Sequence, residues 1–82
     1  MNVTVRYHAF LREKLGRESE LLVVSDPHPH AASVLGAFVA AHPEFARLAA
    51  ALNIAVNAEI VSRDAAIQST DRIDLLPPYG GG

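Results

Sequence analysis

Cysteine does not occur in the 82-residue chain, which removes disulfide staples, thiol nucleophiles and thiolate metal sites together. Small secreted domains usually depend on staples, so the absence favours a reducing, cytoplasmic setting. Tryptophan is missing and aromatics make up only 6%, so the apolar half of the composition rests on Ala, Leu, Val and Ile. No hydrophobic run approaches the roughly 18 residues of a transmembrane helix, and the opening Met1-Asn2-Val3-Thr4-Val5-Arg6 lacks the apolar stretch of a signal peptide. There is no basic excess either: 7 Lys and Arg stand against 9 Asp and Glu, for a net charge of −2. With no basic stripe interleaved with aromatics, neither nucleic acid nor membrane is an expected partner. Gly16 and Gly36 stand alone and the other glycines are terminal, so no phosphate-cradling loop is present and ATP must be bound by another protein.

What is there is enough for one small domain. A chain this short buries only about two-thirds of the surface it exposes unfolded, and 50% hydrophobic with 20% charged residues belongs to a folded globular chain. Chemistry is therefore expected to be shared with a larger partner. The charge is uneven. Residues 1–58 balance five acids against five bases, whereas residues 59–82 hold Glu59, Asp64, Asp71 and Asp74 against Arg63 and Arg72. That acidic third reads either as a solvated face or as a rim that guides the C-terminus toward a basic partner.

Val3, Val5 and Tyr7 alternate with polar residues as in a half-buried strand. Ala9 to Leu15 is rich in helix formers, and Gly16 stands where a C-cap wants one. Glu20 to Ser25 reads as a second strand whose continuous Leu21-Leu22-Val23-Val24 suggests cover on both faces. Asp26-Pro27-His28-Pro29-His30 breaks the chain. Val34, Leu35, Phe38 and Val39 then fall on one helical stripe within Ala31 to His42, and Pro43 stops it. A shorter helix with Phe45, Leu48 and Leu52 on one face follows. Strands are expected from Leu52 to Asn57, Glu59 to Ser62 and Arg72 to Leu76, with a turn at Asn57-Ala58. The order suits an α+β domain with a mixed sheet packed on one main helix. In a β-grasp arrangement the first and last strands lie parallel and central, which pattern alone does not prove.

The chain ends Leu75-Leu76-Pro77-Pro78-Tyr79-Gly80-Gly81-Gly82. Gly81 and Gly82 carry no Cβ and can thread a channel too narrow for other residues. Pro77-Pro78 holds the tail extended as it leaves the sheet, lowering the entropy lost on insertion. Tyr79 can anchor its base at a partner surface. The expected organisation is a domain over 1–78 and a flexible glycine tail over 79–82.

These residues, with Val3-Thr4-Val5-Arg6-Tyr7, Ala9-Phe10-Leu11-Arg12-Glu13, Gly16, His42-Pro43 and Ala55-Val56-Asn57, resemble the MoaD/ThiS family of ubiquitin-like sulfur carriers. The similarity runs through nearly the whole chain in one register, and within the family it is nearest to the small subunits of molybdopterin synthase. The resemblance implies a ubiquitin-like β-grasp fold and a function built on Gly82. A ubiquitin-activating-like adenylyltransferase would adenylate the Gly82 carboxylate with ATP, and a sulfurtransferase would supply the sulfur that makes it a thiocarboxylate. The tail would then enter the molybdopterin synthase large subunit and donate that sulfur. The chain would be a cosubstrate, not an enzyme by itself, and would bind no cofactor. Phe10, Ile60, Leu76, Pro77, Pro78, Tyr79, Gly80 and Gly81 are the residues expected to meet the partners.

Three departures from the family pattern stand out. Gly80 adds a glycine before the terminal pair. Ser69-Thr70-Asp71 replaces a glycine-containing turn before the last strand, which puts that turn's geometry in question. His30 stands where Thr or Ser often caps the long helix.

Other candidates are weaker. His28 and His30 lack a ligand set and read as an exposed loop. His8 and His42 have no evident catalytic partner, and Ser33, Ser62 and Ser69 show no Ser-His-Asp logic. Phe10 and Ile60 fit core packing as well as docking. Alternatives to molybdopterin synthesis are sulfur carriage for thiamine, cysteine or thio-tRNA synthesis, a ubiquitin-like protein modifier joined through Gly82 to lysines, and a plain interaction module.

Overall fold

The alternation of the first residues is realised in β1, Asn2–Tyr7, which buries Val3, Val5 and Tyr7 on one face. The computed structural model describes residues 1–78; Tyr79 and the expected Gly80-Gly81-Gly82 tail lie outside the described residues. After β1 comes α1, Ala9–Leu15, closed by Gly16 in the left-handed region at φ 70° with its N–H on the Arg12 carbonyl. The C-cap thus sits where the sequence places it.

The second strand, β2, spans Ser19–Val23, and here the expectation of cover on both faces is overturned. Leu22 and Val24 are buried, but Leu21 is 60% and Val23 66% exposed. The reason is position. β2 lies at the sheet edge with its inner face under the main helix and its outer face open, so a continuous apolar run is partitioned by the pleat alone.

That main helix, α2, covers Ala31–Ala41 and buries Ala31, Val34, Leu35 and Phe38. His30 does not leave its start uncapped. The His30 N–H donates to Ser33 Oγ at 3.2 Å, and the Ser33 hydroxyl donates to Asp26 Oδ2, so Ser33 serves where a capping box uses Glu or Gln. Pro43–Phe45 forms a 3₁₀ turn that leads into α3, Ala46–Ala49. Phe38 stacks at tilted geometry on Tyr7 at 5.7 Å and on Phe45 at 5.9 Å between ring centroids, which locks helix, sheet and turn together.

β3, Asn53–Val56, returns through Asn57-Ala58 into β4, Glu59–Ile60. Both turn residues have positive φ, 52° and 73°, as a tight hairpin whose twist matches the strands requires. β4 is shorter than the sequence suggests. The last strand, β5, is Ile73–Leu76. Ahead of it, Ser69-Thr70-Asp71 needs no left-handed residue, since none of the three has positive φ. Asp71 closes that turn instead: its Oδ2 accepts the Gln68 N–H at 2.7 Å and its Oδ1 accepts Asn57 Nδ2 at 3.1 Å.

The five strands order β2-β1-β5-β3-β4. β1 and β5 pair in parallel, Val5 against Ile73 and Tyr7 against Leu75, and the other pairs are antiparallel. First and last strands are therefore neighbours at the centre, with α2 across one face. This is the ubiquitin-like β-grasp fold.

Candidate functional site

Where β5 ends, the chain meets the start of α1 and the β3–β4 hairpin. His8, Ala9, Phe10, Asn53, Ile60, Leu76, Pro77 and Pro78 line a groove of about 380 Å³ there. Of the residues singled out in the sequence, Phe10, Ile60, Leu76, Pro77 and Pro78 converge on this one place, though 66 positions separate Phe10 from Leu76 along the chain. Phe10 is 37% and Ile60 65% exposed, so neither is a core residue. The sheet register explains the convergence. Asn53 stands opposite Leu76 and Ala55 opposite Ile60, so Asn53, Ala55, Ile60 and Leu76 share the outer face of the pleat.

Three lining residues carry no sequence signal of their own. Ala9 adopts φ 52°, a left-handed conformation that costs a non-glycine residue about 1 kcal/mol or more. The chain takes it in turning from β1 into α1, which brings Phe10 to the groove wall. His8 sits beside it, and its Nε2 lies 2.7 Å from Asp74 Oδ1. Asp74 is only 5% exposed, and its other oxygen accepts Arg72 Nε at 3.2 Å. The sequence shows no partner for His8; the parallel β1–β5 register supplies one by joining residues 66 positions apart. Asn53 completes the floor at the start of β3.

His42 is also partnered. Its Nε2 lies 2.6 Å from Glu20 Oε1, the oxygen to which the Tyr7 hydroxyl donates at 2.6 Å, while Arg17 donates to Oε2 at 3.0 Å. Burial pushes the Glu20 carboxyl up, but the hydrogen bonds from Tyr7 and His42 and the nearby positive charges outweigh it and hold its pKa below the ordinary value. Burial first, and then the bond to Glu20, push the Tyr7 hydroxyl far above its ordinary value, so it stays a donor. This cluster lies on the helix side of the sheet and clamps α2 to β1 and β2.

In the proline loop, His30 Nδ1 lies 3.0 Å from the His28 carbonyl and 3.2 Å from Asp26 Oδ2. Hydrogen bonds from Ser33 and the His28 N–H hold the Asp26 carboxyl below its ordinary pKa. Among the described residues no group of three or more His, Cys, Asp or Glu is placed to hold a metal ion, and no helix is long and apolar enough to cross a membrane.

Residues 5–82 match the family described as ThiS family. No curated protein gives a significant match. Among solved structures, SAMP1 from Haloferax volcanii, small archaeal modifier protein 1, superposes with a TM-score of 0.81 at 26% identity, over 100% of both chains. A chain of the BexX/CysO complex from Amycolatopsis orientalis gives 0.67 at 24% identity, over 98% of this chain and 99% of that one. A chain of the complex of subunits 1 and 2 of the molybdopterin-converting factor from Helicobacter pylori gives 0.63 at 22% identity, over 100% of both.

Proposed function

The chain belongs to the ThiS family, a ubiquitin-like sulfur carrier or modifier, and from that premise we propose that it carries sulfur on the Gly82 carboxylate for molybdopterin synthesis. In the proposed cycle an adenylyltransferase binds ATP and the Gly82 carboxylate attacks the α-phosphate, releasing pyrophosphate. A sulfurtransferase then delivers a hydrosulfide equivalent to the acyl carbon, and AMP leaves with the former carboxylate oxygen. The product is a thiocarboxylate whose sulfur is a soft nucleophile at neutral pH. Inside the large subunit of molybdopterin synthase the acyl carbon gives up that sulfur, and water restores the carboxylate. This chain supplies the acyl group and the tether; its partners supply ATP binding and catalysis.

One observation carries the reading: the groove of Phe10, Ile60, Leu76, Pro77 and Pro78 opens where the tail begins. An apolar recess at the root of a tether gives a partner a fixed grip from which a thin tail can be threaded. Its rim is rigid, since β5 is held between β1 and β3, so little entropy is lost on docking. The fold shared with a chain of a complex of molybdopterin-converting factor subunits 1 and 2 is in keeping with a protein partner. The second reading, a protein modifier joined to lysines through Gly82, is favoured by the likeness to SAMP1 at 26% identity.

Intact mass after incubation with the activating enzyme, ATP and a sulfur donor separates the two. Exchange of one oxygen for sulfur on this chain supports the carrier, whereas adducts on other proteins support the modifier. An unchanged mass beside an active enzyme overturns both. Transfer of labelled sulfur into molybdopterin by the large subunit then tests the pathway.

A further inference from the structure

The sheet has two edges, and they differ. β4 is two residues long, too short to template another strand. β2 is five residues long, and its outer face shows Leu21 and Val23 at 60% and 66% exposure. Two common guards of an edge, proline and lysine, are missing from residues 18–25, Glu-Ser-Glu-Leu-Leu-Val-Val-Ser, and the inward charge of Glu20 is taken up by Tyr7 and His42.

The ladder phase fixes which backbone groups are free. Tyr7 N–H bonds the Glu18 carbonyl at 2.8 Å, and Val24 N–H bonds the Met1 carbonyl at 2.7 Å. With Val3 opposite Leu22 and Val5 opposite Glu20, residues 18, 20, 22 and 24 face β1. By the alternation of an antiparallel ladder, Ser19, Leu21 and Val23 turn their N–H and C=O groups away from the sheet.

We propose that this edge is a self-association surface on which two copies pair antiparallel through β2, with Leu21 opposite Leu21 of the second copy and Ser19 opposite Val23. The pairing is self-complementary. The three outward residues of each copy exchange about six N–H···O bonds, and the leucines meet on the outer face. Glu18 stands opposite Val24 and Glu20 opposite Leu22, so no like charges oppose each other. At each end Arg17 comes alongside Asp26 of the second copy, one step off register. Their side chains are 52% and 29% exposed, and the contact would add to the bonds that Arg17 makes to Glu20 and Asp26 to Ser33 and His28. A pair of this size falls in the weak class of interfaces. The two-fold axis crosses the sheet at Leu21, so the tail-bearing grooves stay open and point in opposite directions.

The absence of cysteine makes a direct test available. Leu21→Cys places its sulfur opposite itself, at the Cα spacing of about 5.5 Å that a disulfide accepts. Ser19→Cys is the control, since in this register the two copies of position 19 lie about 14 Å apart. Under mild oxidation Leu21→Cys is expected to form covalent dimer at least about tenfold faster than Ser19→Cys. In sedimentation equilibrium the wild-type chain is expected to move from monomer toward dimer mass as concentration rises to about 1 mM, and Leu21→Lys to stay monomeric. Should Leu21→Lys lose its far-UV circular dichroism, the cysteine pair decides. A wild-type chain that stays monomeric at that concentration overturns the proposal, as do equal oxidation rates for the two cysteine variants.

Discussion

Replacing Tyr7 with phenylalanine isolates one atom of the clamp between α2 and the sheet. Tyr7 is 1% exposed and its hydroxyl donates to Glu20 Oε1 at 2.6 Å, so Tyr7→Phe keeps the ring against Phe38 and removes only the donor. At neutral pH the lost bond is to an ionised carboxylate and is worth about 1.5 to 3 kcal/mol. The lower end applies, because Glu20 keeps His42 and Arg17 and its side chain remains 16% exposed. We therefore expect a loss of about 1.5 to 2 kcal/mol at pH 7, a fall in Tm of about 10 °C for a domain of this size. The Glu20 pKa is depressed in the folded chain. Its contribution is thus fully present above the unfolded carboxyl value and is lost as pH falls through the folded one. Below that point the hydroxyl faces a neutral carboxyl, and the cost of the substitution should shrink to about 1 kcal/mol. Urea unfolding of both chains, followed by circular dichroism at neutral and acid pH, reads the difference. A cost that is the same at both pH values would show that the hydroxyl acts by filling space, and would refute the electrostatic account.

Other substitutions test separate links. Phe38→Ala empties the centre of the core, where Phe38 is 0% exposed, and should cost about 3 to 5 kcal/mol in urea unfolding, enough to unfold much of a domain this small. Ile60→Asp, at a residue 65% exposed, should change stability by less than about 0.5 kcal/mol, yet weaken binding to the proposed activating enzyme by at least about tenfold in calorimetry; unchanged affinity removes the groove from the proposed docking surface. Ala58→Gly relieves a left-handed alanine at φ 73°. After the entropy glycine adds to the unfolded chain, it should raise stability by about 0.5 kcal/mol in the same unfolding assay.

Local chemistry was legible in the sequence wherever neighbours in the chain decide the outcome. Gly16 marks the end of α1, Pro43 the end of α2, and the alternation at Val3, Val5 and Tyr7 the buried face of β1. Phe10 and Ile60 fit core packing and docking equally well in the sequence, and only their exposure and the strand register that sets Ile60 near Leu76 place them at the groove. What escaped depends on strand order. The run from Leu21 to Val24 reads as covered on both faces because composition does not say which strand lies at an edge. His8 with Asp74 and His42 with Glu20 form only once the parallel centre and the helix crossing bring distant residues together. The turn at Ser69–Asp71 is in question in the sequence for a different reason: it is closed by the Asp71 side chain, whose bond to the Gln68 N–H composition does not announce.

The position of β5 also has a mechanical meaning. It lies between a parallel and an antiparallel neighbour, and the tail continues directly from its end. A pull along the strand axis loads the hydrogen bonds of both ladders together in shear, whereas an edge strand would have one ladder to resist it. Under the proposed function, a partner that draws on the tail would therefore pull against a body that keeps its shape.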